Sequence, residues 1–77
     1  MYLEVIKNEN VFVFFEVVGV FYLKHSGKLV VETPGNSHEF GGMDDRLWGA
    51  LEGYLDPSMK VGINLDKKIV YPVGWED

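Results

Sequence analysis

The sequence predicts an α+β fold: an antiparallel sheet in the order βββαββ with one amphipathic helix packed on one face. Three observations predict it. Residues 11–23 are dominated by Val, Phe and Tyr, the residue types that suit a pleated surface. A 3.6-residue apolar periodicity occurs once, over Met43–Leu55. The tail alternates apolar and polar residues on both sides of Asp66-Lys67-Lys68, as a hairpin does.

Taken in order, Met1–Lys7 reads as a first strand closed by the turn-forming Asn8-Glu9-Asn10. Val11–Lys24 then runs extended. A straight strand of about fourteen residues spans about 46 Å, too long for a domain with an expected radius of gyration of about 11–12 Å. The strand must therefore bend, and Gly19, without a Cβ, is the expected bulge. Its front half should pair with the first strand and its back half with a third, Lys28–Thr33, reached through His25-Ser26-Gly27. Pro34-Gly35-Asn36-Ser37 ends the sheet run and leads by a loop to Gly41-Gly42.

The helix follows. Met43, Leu47, Trp48, Ala50, Leu51, Tyr54 and Leu55 share one face, and Asp44 and Asp45 occupy the first turn, where the helix dipole favours negative charge. Pro57 is the expected stop. In the tail hairpin Met59, Val61, Ile63 and Leu65 point one way, and Ile69, Tyr71, Val73 and Trp75 point together on the return. Pro72 in that last strand argues for a sheet edge or for a non-bonded position.

Seventy-seven residues make one domain, 1–77. The chain has no cysteine, which removes disulfides, Cys-ligated zinc and thiol chemistry. At 47% hydrophobic and 14% aromatic it has the composition of a folded globule rather than an acidic tail. The apolar run Val11–Leu23 is interrupted by Glu16 and Gly19 and falls well short of the roughly twenty residues a spanning helix needs. Nor is it a signal peptide, because acidic Asn8-Glu9-Asn10 stands where a basic region belongs. The expectation is a cytoplasmic protein that meets no membrane.

Charge is unevenly distributed. Acids and bases balance in residues 1–28 and again in 60–77, so the formal charge of −5 lies in the central stretch. There Glu32, Glu39, Asp44, Asp45, Glu52 and Asp56 face Arg46 alone. On the helix Asp45, Gly49, Glu52 and Asp56 fall within about 40° of one line, opposite the apolar face and without an interspersed Lys. Such a field repels nucleic acid and attracts basic surfaces. The expected partner surface is Glu39, Asp44, Asp45, Gly49, Glu52 and Asp56. Its expected target is a basic protein surface such as that of a nucleic-acid-handling enzyme, with no direct contact to nucleic acid. Small acidic inhibitors of the kind phages and toxin–antitoxin systems encode share this profile. The competing account is a solvated helix face that needs no partner.

The second feature is the long strand. Its odd positions, Val11, Val13, Phe15, Val17, Phe21 and Leu23, are expected to face the helix. Its even positions Phe12, Phe14, Val18, Val20 and Tyr22 are apolar too, and a one-layer sheet with one helix covers only one face. Either the sheet closes into a small, OB- or SH3-like, partly closed barrel, or Phe12, Phe14 and Tyr22 are buried in a homo-oligomer. The alternative function is thus a self-associating structural subunit.

His25-Ser26 and Ser37-His38-Glu39 hold the only adjacent nucleophile, base and acid sets, but neighbours on an extended chain point to opposite sides. Turn chemistry accounts for them. Two distant histidines lack metal-ligand spacing. The reading is a non-catalytic protein with no metal and no cofactor, a small enzyme or ligand carrier being the remaining alternative.

Overall fold

Asn8 and Glu9 carry positive φ angles of 53° and 65°. They close a two-residue type I′ hairpin between β1 (Tyr2–Lys7) and β2 (Asn10–Phe14). The computed structural model describes residues 1–56 and 58–73. The expected helix stop at Pro57 and the place of Trp75 in the last strand lie outside the described residues.

The remaining elements are β3 (Gly19–Leu23), β4 (Lys28–Thr33), β5 (Asn36–Gly41), α1 (Asp45–Glu52), β6 (Lys60–Asn64) and β7 (Ile69–Pro72). The fold is α+β, as the sequence predicts, but its sheet is not single. One sheet has the order β2-β1-β6-β7, with β1 and β6 parallel and the other pairs antiparallel; the second is the meander β3-β4-β5. The expected five-stranded antiparallel sheet is corrected to two sheets, and these do not close into a barrel. The radius of gyration, 11.6 Å, lies in the range expected for the length.

Two departures from expectation account for the difference. The long strand is cut in two at residues 15–18 rather than bent at Gly19. The Val17 N–H donates to the Met1 carbonyl (3.2 Å) and the Val18 N–H to the Glu32 carbonyl (2.8 Å), so this corner is stitched to both sheets. Its halves pair as expected, β2 with β1 and β3 with β4. Gly19 instead seats an aromatic ring: a Cβ there would lie 2.8 Å from the Phe21 ring. The second departure is β5. Thr33 and Asn36 pair across Pro34-Gly35, and Gly35 takes φ +78°, the positive angle that the second central residue of a type II turn requires.

The inner faces of both sheets meet in one core. Leu3, Val5, Val61 and Ile63 from the first sheet and Leu29, Val31 and Phe40 from the second are buried together with Met43, Leu47, Leu51 and Leu65. Helix α1 covers this core with Leu47 and Leu51. It is shorter than Met43–Leu55 because Asp44 caps it, accepting the Leu47 N–H at 2.7 Å. Met43 is buried just ahead of it, and Ala50, expected on the apolar face, is exposed. On the return strand Val70 joins the core while Ile69 is exposed, since Ile63 pairs with Val70. Strand β7 forms an edge, which accommodates Pro72.

Candidate functional site

The central acids do not stand alone in the folded chain. Asp45 accepts the Tyr22 hydroxyl at 2.7 Å and lies 3.6 Å from Lys24 Nζ. Glu39 lies 3.2 Å from Lys28 Nζ, and Asp44 lies 3.6 Å from Lys68 Nζ. The Lys68 ammonium also donates to the Gly42 carbonyl, tying the start of the helix to the β6–β7 turn. Asp56 is used locally, accepting the Ser58 N–H at 2.9 Å and its hydroxyl at 2.7 Å. These contacts hold the Asp45 carboxyl below its ordinary pKa, chiefly through the Tyr22 hydrogen bond, and that of Asp56 through the Ser58 amide. The Tyr22 hydroxyl is pushed up to about 12, first by its bond to Asp45.

Lysines from segments that are neutral in sequence therefore sit beside the central acids. All three pairs are exposed and contribute little to stability, but they break the uniform sign of the surface. Of the partner surface read from sequence, Gly49 and Glu52 remain side by side on the exposed helix face, with Gly53 next to them.

Over β2 and β3 the parity is the reverse of that expected, whereas in the corner between them Val17 packs on the core and Val18 is 67% exposed, as expected. Hairpin pairing sets Phe14 opposite Leu3 and Phe12 opposite Val5, two fully buried residues, so Phe12 and Phe14 turn inward. The Phe12 and Phe40 rings are 5.1 Å apart, and Phe14 lies 4.7 Å from the His38 ring and 6.1 Å from Phe40. Tyr22 likewise turns inward against Trp48, at 5.8 Å. The odd positions Val11, Val13 and Phe15 face out, 57%, 40% and 75% exposed, while Phe12, on the edge strand, is itself still 40% exposed. A usable signal was present. A two-residue turn at Asn8-Glu9 fixes which residues of the two strands share a face, and Glu16 sits in the corner where the alternation restarts.

The outer face of the four-stranded sheet thus carries two cross-strand rows. One runs Val13, Glu4, Gly62, Tyr71, and the next Val11, Ile6, Asn64, Ile69. Ile69 is exposed, and Phe15 stands edge-on to Tyr2 at 5.5 Å. At the centre the Glu4 carboxylate accepts the Tyr2 hydroxyl at 3.2 Å and the Tyr71 hydroxyl at 2.8 Å. Burial, then the bond to Glu4, pushes the Tyr71 hydroxyl up to about 12, and Tyr2 is raised for the same two reasons. Gly62 is what admits the Tyr71 ring: a Cβ on it would lie 2.3 Å from two ring carbons.

The remaining sequence candidates take structural places. His38 faces the core beside Phe14, its Nε2 3.4 Å from the Thr33 hydroxyl. His25 is exposed in a turn where the Ser26 hydroxyl donates to the Leu23 carbonyl at 3.4 Å. Among the described residues no three His, Asp or Glu side chains gather as metal ligands would. No described helix is long and apolar enough to cross a membrane. Compared with protein-family models, curated proteins and solved structures, the chain gives no match.

Proposed function

We propose that this protein is a non-catalytic protein-interaction module whose contact surface is the outer face of the four-stranded sheet. One observation carries the reading: Val11, Val13, Phe15 and Ile69 stay exposed on that face around a Tyr–Glu–Tyr centre. Exposed apolar side chains gathered on one face, with a few fixed polar groups among them, suit protein contact. Tyrosines held by hydrogen bonds present large apolar area with little ordering left to lose on binding.

The test places a photo-cross-linking side chain at Ile69, at Phe15 or, as a control, at Glu52. Covalent protein adducts at Ile69 and Phe15 whose yield is unchanged by salt are expected. Adducts confined to Glu52 and lost as salt rises would overturn the reading and return the site to the helix. That second reading, an acidic module docking on a basic surface, is favoured by the exposed group Gly49, Glu52 and Gly53. Its contacts would be screened over about 8–10 Å at physiological ionic strength, and this makes salt the discriminating variable.

A further inference from the structure

At the centre of the outer face one carboxylate stands among aromatic rings. Glu4 is the only acid at the outward positions of the four strands. One of its oxygens accepts the Tyr2 hydroxyl at 3.2 Å and the other the Tyr71 hydroxyl at 2.8 Å, so the charge is held between two rings. Phe15 adds another ring, edge-on to Tyr2 at 5.5 Å. Among the described residues no basic side chain forms an ion pair with Glu4. An ionised carboxylate offers about four lone-pair sites. The two hydroxyls use about half of them, and the residue is only half-buried, so the rest stay open to solvent.

We propose that this centre receives one arginine side chain of a protein partner, whose guanidinium donates to the Glu4 carboxylate and lies against the tyrosine rings. This deepens the reading of the outer face as an interaction surface and rests on it. A carboxylate without a basic partner selects a cation. Aromatic faces attract cations as well, and one ring of this site already does so: the Lys60 ammonium lies 5.9 Å from the centre of the Tyr2 ring. Lys60 is the register partner of Tyr2, whereas Glu4 is paired with Gly62, which brings no side chain of its own beside the carboxylate. Arginine fits better than the other cations. Its planar fork of N–H groups can donate to open carboxylate lone pairs while its face stacks on a ring, and it is more weakly hydrated than an ammonium. A quaternary ammonium has no N–H and would leave those lone pairs unused.

The receiving groups are in place before binding. Tyr71 is seated over Gly62, where a Cβ would collide with its ring, and its hydroxyl is fixed on Glu4. Tyr2 is fixed on the same carboxylate from the other side. Little ordering therefore remains to be lost on binding. Val13, directly across from Glu4 on β2, supplies apolar surface beside the charge. Because Glu4 is half-buried, its contact with a guanidinium is screened less than an exposed ion pair. Salt should change it little, as expected above for adducts at Phe15 and Ile69.

NMR titration of the full chain with the peptide Ac-Ala-Arg-Ala-NH2 and its Lys and citrulline counterparts tests the proposal; citrulline keeps the shape of arginine without its charge. A single side chain binds weakly, so each peptide is raised to about 50 mM, where a Kd of about 10 mM is readable. The Arg peptide should shift Tyr2, Glu4 and Tyr71 signals saturably, the Lys peptide should bind at least about threefold more weakly, and citrulline should leave them unmoved. Glu4→Gln removes the charge while keeping an acceptor and a donor for the tyrosine hydroxyls, and should weaken binding at least about tenfold. Phe15→Ala alters a residue 75% exposed, so the fold is kept, and should weaken binding about two- to fivefold. Glu52→Gln, on the exposed helix face, should have no effect. Equal binding of citrulline or Lys, shifts centred on the helix acids, or an Arg affinity that E4Q and F15A leave intact would each overturn the proposal. If no peptide binds while Phe15 and Ile69 still cross-link to a foreign protein, the arginine is refuted and the interaction-module reading stands. If neither binding nor adducts appear, both fall.

Discussion

Replacing Gly62 by Ala offers the sharpest test of how the outer face is built. The new Cβ would stand 2.3 Å from Cε2 and Cζ of Tyr71 and 2.6 Å from its hydroxyl oxygen, against ordinary contacts of 3.4–4 Å. The ring must therefore retreat by more than 1 Å, which stretches the 2.8 Å bond from its hydroxyl to Glu4 beyond hydrogen-bonding range. A hydrogen bond to a charged group contributes about 1.5–3 kcal/mol, and partial re-solvation of Glu4 puts this one toward the lower end. Ala in place of a strand Gly returns about 0.5–1 kcal/mol. The net expectation is a loss of about 1–2 kcal/mol, or about 5–15 °C in Tm for a domain of this size. Urea and thermal unfolding measure it. The same substitution in a Tyr71→Ala background meets no ring and should stabilise by about 0.5–1 kcal/mol. A second readout is the Tyr71 hydroxyl, pushed up to about 12 in the parent, which should fall back toward its ordinary value in G62A. Equal costs of G62A in both backgrounds, or an unmoved Tyr71 titration, would refute the claim that this glycine exists to seat the ring.

Other outcomes follow from the same contacts. Tyr71 and Tyr22 both have hydroxyls raised to about 12, so the fold favours their protonated forms. That contribution is fully present below pH 10 and is lost as pH rises from about 10 to about 12; ultraviolet titration should show these two tyrosines ionising near pH 12, and Y22F should remove one of them. Asp66 accepts the Asn8 and Glu9 amides at 3.0 Å each, and these bonds lower its pKa. Its contribution is present above the ordinary carboxylate value and lost as pH falls through the depressed one, so D66A should flatten the acid side of the stability profile and lower Tm at neutral pH. Glu9→Gly relieves a left-handed residue at φ 65° and should stabilise by about 1 kcal/mol in urea unfolding, because the amide that Asp66 holds is retained.

What was legible in the sequence follows a physical division. Contacts local along the chain were readable: the strand Tyr2–Lys7, the tail hairpin, the edge position implied by Pro72, and the helix apolar face through Leu47 and Leu51. Strand β5 escaped because its inward pair, His38 and Phe40, is interleaved with Ser37 and Glu39 and gives little apolar signal; Pro34-Gly35 marked its turn all the same. The partners of the acids were illegible for a different reason. Lys24, Lys28 and Lys68 come from elsewhere in the chain, and only the tertiary fold sets them beside Asp45, Glu39 and Asp44. Summing charge by segment therefore overstated the isolation of the acidic stretch.

The parity of the long strand lies between these cases. Hydropathy alone cannot choose a face when Val11, Val13 and Phe15 alternate with Phe12 and Phe14. The turn can. Once Asn8-Glu9 is taken as a two-residue hairpin, each residue of β2 shares a face with its partner on β1, where the polar Glu4 and apolar Leu3 and Val5 leave no ambiguity. The unambiguous strand thus decides the ambiguous one, and the exposed face passes from Phe12 and Phe14 to Val11, Val13 and Phe15. The same turn sets which backbone groups of β2 point outward. Face and edge are therefore fixed together, by two residues that themselves take no part in the surface they define.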